Sequence, residues 1–170
     1  MEKAMIIPEL NASLLLKTWS RVRGFPGGKR IFSHLIRLAV PYSGTTGVIV
    51  ESLERGRVKI SLPDKRRVRN HLKSIHAMAM ANFGELSTGL ALNTALPETA
   101  RAILTSFTID YVKKGRGTLT AESHVEVMER VTEKRAMEVR ATIRNDQNEE
   151  IAHIRAEWLV APRIRVSGHA

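Results

Sequence analysis

The sequence lacks cysteine altogether and has few aromatic residues. Without thiols, a disulfide framework, a zinc–thiolate site and a cysteine nucleophile are all excluded. Aromatic residues make up only 5% of the chain, which disfavours the base-stacking surfaces of RNA-binding modules. No apolar run is long enough to span a membrane, and the first residues lack the pattern of a secretory signal peptide. We therefore expect a cytoplasmic protein.

Several functional motifs are missing as well. There is no glycine-rich loop ending in Lys-Ser or Lys-Thr, no GxSxG segment, and no pair of histidines on one predicted helical face. These absences argue against a nucleotide-cradling loop, a serine-hydrolase nucleophile and a metal site. Neither a helix-turn-helix nor a zinc-finger pattern is present, so nucleic-acid binding ranks low among the candidate functions.

What the chain has in excess is positive charge. It carries 27 Lys and Arg against 17 Asp and Glu, a formal net charge of +10. A protein this basic is attracted to a polyanion, whether nucleic acid, an anionic membrane or a phosphorylated small molecule. Its 170 residues, 43% of them hydrophobic, fit one folded domain of ordinary size.

Two helices are predicted at the start of the chain, where apolar residues recur every three or four positions. The first covers residues 13–23, with Ser13 as its N-terminal cap, and ends at a GFPGG segment. The second lies within residues 29–42 and ends at Pro41. It has a row of apolar residues on one face and two more beside the row: Ile31, Leu35 and Leu38, then Phe32 and Ile36.

From Thr46 onward the apolar period changes to two, which predicts six strands. Their ranges are 48–53, 57–62, 103–112, 118–128, 136–144 and 151–160. A long helix over residues 76–93 separates the second strand from the third. It is apolar almost all round and is therefore expected to be buried, with Gly84 and Gly89 at points of close contact.

This order of elements indicates an α+β fold in which a largely antiparallel sheet covers one long helix. We expect an N-terminal helical extension over residues 1–43. Residues 44–170 are expected to form the sheet and its central helix as a single structural unit.

Glu85 is the only charged residue between Ala77 and Pro97, inside the apolar helix. An ionised carboxylate in a protein core costs several kcal/mol unless it is paired or its pKa rises. One interpretation is that Glu85 lies on a stripe that reaches water, as most glutamates do. The other is that it acts as a general base or nucleophile in a dry cleft.

His76 cannot join Glu85 within one chain. The two residues are nine positions apart, which places them on opposite sides of a helix and roughly 13 Å apart along its axis. A shared site therefore needs two copies, with the start of one helix facing the middle of the other. Unpaired backbone N–H groups near Ala77 and Met78 could then hold a developing oxyanion.

The segment NHLKSIHAMAMANFGE, residues 70–85, resembles the asparagine, histidine and acidic-residue spacing of the phenylacetyl-CoA thioesterase-like branch of the hotdog-fold superfamily. Three longer segments are similar to a hotdog family of unknown function that is regarded as a candidate thioesterase family: PGGKRIFSHLIRLAVPYSG, VRNHLKSIHAMAMANFGELSTGLAL and IDYVKKGRGTLTAE. This second resemblance covers nearly the whole chain and implies a hotdog fold, an antiparallel sheet wrapped around a long central helix after two N-terminal helices.

The resemblance also implies roles for individual residues. Glu85 would be the base or nucleophile at a thioester carbonyl, Asn70 would position water or substrate, and the amide of Ala77 would contact the oxyanion. In the branch, the acidic residue and the helix N-terminus come from different protomers, which implies a homodimer or a dimer of dimers. His76 is either a catalytic participant or a structural hydrogen-bonding group at the helix start, and His71 is a weaker candidate.

Two departures from the branch concern the start of the helix. Where the branch has two glycines after the histidine, this chain has Ala77 and Met78. The Met78 side chain would therefore adjoin the acyl carbonyl. Lys73 stands where the branch has a glycine between the asparagine and the histidine.

Two basic clusters could bind the phosphates of coenzyme A, which would enter as part of the substrate and not as a separate cofactor. By resemblance the first candidates lie in the KKGRG segment: Lys113, Lys114 and Arg116. Arg67 and Arg69 come second. The simpler interpretation of each is a solvated turn residue.

Three functions remain open from the sequence. The first is hydrolysis of an acyl-CoA-type thioester, and the second is non-catalytic binding of an acyl-CoA or lipid in the same tunnel. The third is attachment of the basic helical extension to a membrane surface or to nucleic acid.

Overall fold

The computed structural model describes residues 11–163. Three helices come first, two strands and a short 3-10 turn follow, and a long helix precedes the last four strands. The elements are α1 (Ala12–Val22), α2 (Gly28–Ala39), α3 (Pro41–Gly44), β1 (Ile49–Glu54), β2 (Arg57–Leu62), the 3-10 turn Arg66–Val68, α4 (Ala77–Ala95), β3 (Ala100–Tyr111), β4 (Leu119–His124), β5 (Arg135–Arg144) and β6 (Glu150–Pro162). The predicted order is confirmed, with α3 as a short addition.

The six strands form one antiparallel sheet in the order β1-β2-β4-β5-β6-β3. Helix α4 packs on one face of this sheet, so that the strands wrap around it. The predicted fold class, α+β with an antiparallel sheet around a long central helix, is confirmed. Within residues 11–163, strand β3 pairs only with β6, and its other edge has no strand partner along its 12 residues.

The core lies between α4 and the inward face of the sheet. Alternation predicts the inward residues of β5 and β6 correctly, because period-2 burial follows directly from the strand geometry. These side chains are buried or half-buried: Met137, Val139, Ala141, Ile143, Ala152, Ile154, Ala156 and Trp158. On α4, Gly84 faces Ile154 and Gly89 faces Trp158, as expected for glycines at points of close contact.

Replacing Gly84 by alanine is expected to destabilise the fold. A Cβ at this position would lie 2.6 Å from Cγ1 and 2.8 Å from Cδ1 of Ile154, which is itself buried. Overpacking of this kind costs about 1–3 kcal/mol and exceeds the gain of about 1 kcal/mol in helix propensity. Urea unfolding should therefore show Gly84→Ala to be less stable by about 1 kcal/mol.

The matched control for that substitution is Gly24→Ala. A Cβ at Gly24 would meet nothing within 4 Å. The free energy of unfolding should stay unchanged or rise slightly. Equal stability of Gly84→Ala and the wild type would contradict the packing described here.

Two local predictions are wrong. The cap of α1 is Asn11, not Ser13, because the Asn11 Oδ1 accepts the Leu14 N–H at 2.8 Å and the helix already begins at Ala12. The fourth strand ends at His124 instead of residue 128. The backbone beyond it leaves the sheet, where Met128 N–H donates to the Ala95 carbonyl at the end of α4.

The apolar row of α2 points outward. The helix buries Phe32 and Ile36 against the rest of the fold, and Phe32 packs edge-to-face on Trp19 with ring centroids 5.1 Å apart. Ile31, Leu35 and Leu38 are instead exposed by 53%, 44% and 56%. No helix within residues 11–163 is long and apolar enough to cross a membrane.

Candidate active site

Glu85 lies half-buried in the middle of α4, on a partly exposed stripe that also includes Met78 and Asn82. Its Oε1 borders Gly89, against which the Trp158 ring packs. Within residues 11–163 the carboxylate has neither a hydrogen bond nor an ion pair. Burial raises the pKa of Glu85, because the apolar surroundings disfavour the charged form. The stripe reaches solvent, yet the carboxylate is still desolvated.

Replacing Glu85 by glutamine should raise the melting temperature at neutral pH. The folded-state pKa lies above the ordinary value of 4.5, so the folded protein binds more protons than the unfolded chain between these two values. Stability therefore falls as pH rises through that window. We expect Glu85→Gln to melt a few degrees higher than the wild type at pH 7, with a gain that disappears below pH 4.5.

Calorimetry at both pH values checks this expectation. Glu133→Gln provides the control, because Glu133 is exposed and has no polar partner within the described residues. A lower melting temperature for Glu85→Gln at pH 7 would mean that the carboxylate is stabilised by a partner after all.

The start of α4 combines a capped amide with a free one. His76 is the N-terminal cap, and its Nδ1 accepts the Met78 N–H at 3.0 Å. Ala77 is the first helical residue, and its N–H has no partner within residues 11–163. The Met78 side chain is 61% exposed. The helix therefore offers one unpaired donor, at Ala77, while His76 has a structural role as cap.

Tyr111 also contacts this helix start, and the sequence did not single it out for the site. Its hydroxyl donates to the Ala77 carbonyl at 2.9 Å, and burial raises the pKa of the phenol. The alternation of Phe107, Ile109 and Tyr111 places the ring on the helix side of β3. Only the crossing of β3 past the first turn of α4 brings the hydroxyl to Ala77.

Asn70 holds the loop that leads into α4. Its Oδ1 accepts the N–H groups of Leu72 and Ser74 at 2.9 and 3.2 Å and the Ser74 hydroxyl at 3.1 Å. The Nδ2 group has no partner in the described part of the chain and can still donate to a ligand. Lys73 has a φ of 57°, a left-handed conformation that favours glycine.

The KKGRG segment lies next to the helix start, because the Gly115 carbonyl accepts the Ile75 N–H at 2.8 Å. Lys113 is already paired, with its Nζ 2.6 Å from a Glu149 carboxylate oxygen. Lys114 and Arg116 are exposed and have no carboxylate partner among residues 11–163. These two cations are therefore the ones available to an anionic ligand.

Arg67 and Arg69, the second basic cluster, already contact other groups of the protein. Arg69 lies 2.6 Å from Asp64, and the Arg69 guanidinium holds the pKa of that carboxyl below its usual range. The Arg67 guanidinium points to the Thr46 carbonyl at 3.5 Å. His71 is exposed and has no polar contact within the described residues. No group of His, Asp and Glu in residues 11–163 is arranged to hold a metal ion.

One chain does not bring the carboxylate and the free amide together. Ala77 and Glu85 are eight residues apart on α4, or roughly 12 Å along the helix axis. One thioester carbonyl cannot touch both groups. In the described part of the chain one edge of strand β3 has no partner strand, and Ile103 on this strand is 65% exposed.

Comparison with protein families gives a match over residues 28–160 to a domain of unknown function, DUF4442. The chain belongs to this family. No curated protein matches the sequence significantly.

Solved structures resemble this DUF4442 protein over most of its length. A protein of unknown function from Pseudomonas aeruginosa, named a probable thioesterase, shares 20% identity over 82% of this chain and 97% of its own, with a TM-score of 0.71. A mutant of a thioesterase from Staphylococcus aureus shares 19% identity over 72% of this chain and 99% of its own, with a TM-score of 0.61. A thioesterase from Haemophilus influenzae shares 13% identity over 75% of this chain and 87% of its own, with a TM-score of 0.63.

At these identities the likeness establishes the fold and not the activity. The hotdog fold that the resemblance of the longer segments implies is confirmed, and this DUF4442 protein shares it with proteins that are named as thioesterases.

Proposed function

We propose that this DUF4442 protein hydrolyses an acyl-CoA-type thioester at a site built from two copies of the chain. The observation that carries the proposal is the desolvated carboxylate of Glu85, which borders Gly89 and lacks a polar partner within residues 11–163. A structural glutamate would be paired or fully solvated. A glutamate that is neither paired nor fully solvated suits the role of a general base, which works best when its pKa is near the operating pH.

The proposed reaction uses Glu85 of one copy and Ala77 of the other. As a base, Glu85 takes a proton from water while the water oxygen attacks the thioester carbonyl carbon. The carbonyl electrons move to oxygen, where the Ala77 N–H stabilises the oxyanion. When the intermediate collapses, the C–S bond breaks, the thiolate leaves and takes up the proton held by Glu85, and a carboxylic acid is released. As a nucleophile, Glu85 would form an anhydride that water then hydrolyses.

Substrate positioning is assigned to the groups beside the helix start. The Asn70 Nδ2 can donate to the substrate or water, because only its Oδ1 is used by the loop. Lys114 and Arg116 would attract the phosphates of coenzyme A. The exposed Met78 side chain would border the acyl group. Coenzyme A arrives with the substrate, so the reaction needs no separate cofactor.

A homodimer is part of the proposal. Long open edge strands are rare in isolated proteins because they pair with other chains. An antiparallel pairing of β3 with β3 of a second copy would satisfy the open edge and cover Ile103. The same two-fold arrangement could bring the start of one α4 to the middle of the other.

The second candidate function is non-catalytic binding of an acyl-CoA or lipid. One observation favours it: the His76 cap uses the Met78 N–H, which leaves Ala77 as the single free donor at the helix start. One donor stabilises an oxyanion less than two.

A panel of acyl-CoA thioesters, from acetyl to palmitoyl and including phenylacetyl, separates the two functions. Thiol release is followed with a chromogenic disulfide, and binding is measured with non-hydrolysable thioether analogues. Turnover of at least one thioester above the buffer rate supports hydrolysis. Binding without turnover across the whole panel would reject hydrolysis in favour of the second function.

A further inference from the structure

The outward face of α2, formed by residues 30, 31, 34, 35, 37 and 38, divides into an apolar half and a basic half. Ile31, Leu35 and Leu38 form the apolar row, and each is at least 44% exposed. Arg30, His34 and Arg37 follow at helical spacing on the adjoining side. The core-facing side of this helix is separate and is occupied by Phe32 and Ile36. The row is therefore not required for internal packing.

The chain around this face is predominantly basic. Residues 11–50 contain no Asp or Glu, and their basic residues are Lys17, Arg21, Arg23, Lys29, Arg30 and Arg37. Among these six, Lys29 alone has a carboxylate partner within the described residues, Glu51 at 2.8 Å. The other five therefore carry positive charge that no described acidic group neutralises.

Two grooves adjoin the basic half of this face on the β1 side of α2, and both are lined by Arg30 and Ile49. One is bordered by Arg30, Arg37 and Lys65, and no carboxylate lines it. The other is bordered by Arg23, Arg30 and Phe25, a ring that is 68% exposed, and also by Glu51, the carboxylate that pairs with Lys29. The basic half of the face therefore extends past α2 to Arg23 and Lys65, with Phe25 as a further exposed apolar group.

We infer that the outward face of α2 binds an anionic lipid bilayer, with the helix lying in the plane of the interface. The apolar row would enter the acyl boundary while the cations contact headgroup phosphates, the pattern of interfacial amphipathic helices. A second copy of the chain fits this surface poorly, because two copies that met through this face would bring two predominantly basic surfaces to one interface. Nucleic acid would use the cations but leave the apolar row in water. This inference is independent of the proposed function.

Vesicle co-sedimentation tests the inference with the full chain. The probes are large unilamellar vesicles of phosphatidylcholine alone and of phosphatidylcholine with phosphatidylglycerol at about 7:3. We expect binding to the anionic vesicles, weakening as salt is raised, and at least tenfold weaker binding to the neutral vesicles. Equal binding to both compositions, or binding to neither, would overturn the inference.

Two substitutions with matched controls locate the contact. Arg30→Glu and Leu35→Glu should each weaken binding to the anionic vesicles about tenfold or more. Arg130→Glu and Val127→Glu change the net charge by the same amounts at exposed positions outside this face, and they should bind like the wild type. Equal losses in a variant and its control would show that only the overall charge matters, and would overturn the assignment to α2.

A fluorescence measurement tests insertion without depending on a loss of binding. The native Trp19 and Trp158 are both buried, so a tryptophan at position 38 would report on the outward face. Leu38→Trp should show a blue-shifted emission when anionic vesicles are added. Unchanged emission under conditions where the protein sediments with vesicles would exclude insertion of the apolar row.

Discussion

Glu85→Gln is expected to lower kcat for thioester hydrolysis by about 10²–10⁴-fold, the range that a positioned general base supplies. Glutamine keeps the shape of the side chain at the border of Gly89 and Trp158, so the loss would come from the missing base and not from repacking. The fold should persist, since the substitution removes a desolvated charge and no hydrogen bond within residues 11–163. Steady-state turnover of the best thioester from the acyl-CoA panel measures the effect.

The pH profile of the wild type provides a second test of the same residue. A base must be ionised, and burial raises the pKa of Glu85 above 4.5. kcat should therefore fall as pH is lowered through that raised value, while the profile of Glu133→Gln should follow that of the wild type. Full turnover by Glu85→Gln would remove Glu85 from the mechanism.

Ala77→Pro is expected to lower kcat by about 10²–10³-fold with little loss of stability. Proline lacks the N–H that would contact the oxyanion, but it is well tolerated at the first position of a helix. The preceding His76 has φ −65° and ψ 140°, an extended conformation that a following proline accepts. The helix and its cap should therefore survive the substitution.

Ala77→Gly is the matched variant, because it keeps the backbone N–H and restores the residue found in the thioesterase-like branch. Its turnover should stay within a few-fold of the wild type. Thermal unfolding of both variants confirms that they are folded. If Ala77→Pro turned over substrate as fast as Ala77→Gly, the helix N-terminus could not be the oxyanion site.

The sequence was sufficient to predict the fold because its periodicities are strong and local. The change from helical spacing to alternation near Thr46, and the unbroken apolar helix after residue 76, determine the order of elements. Gly84 and Gly89 were identified by the same logic, since a buried helix needs small residues where Ile154 and Trp158 approach. Ser13 failed as a cap because Asn11, two residues earlier, offers an equally good oxygen to the first turn.

The candidate site could be predicted only in part. An isolated carboxylate in an apolar helix is visible in the sequence, and its spacing to His76 predicts that a site shared by the two residues would need two copies. Side-chain partners cannot be read from the sequence. The ion pair of Lys113 with Glu149 and the hydrogen bond from Tyr111 to the Ala77 carbonyl depend on which turns and strands lie next to each other in the fold. The outward direction of the α2 row was also hidden, because periodicity groups residues on a face without saying which face the core covers.

The central claim, that each site takes Glu85 from one copy and Ala77 from the other, is tested most directly by a heterodimer of Glu85→Gln and Ala77→Pro chains. Differently tagged chains are co-expressed, the mixed species is purified, and its turnover is compared with that of each parent. One of its two sites then combines an intact carboxylate with an intact amide, so we predict about half the wild-type turnover per dimer. A heterodimer as inactive as its parents, or chains that form no dimer at all, would contradict the account.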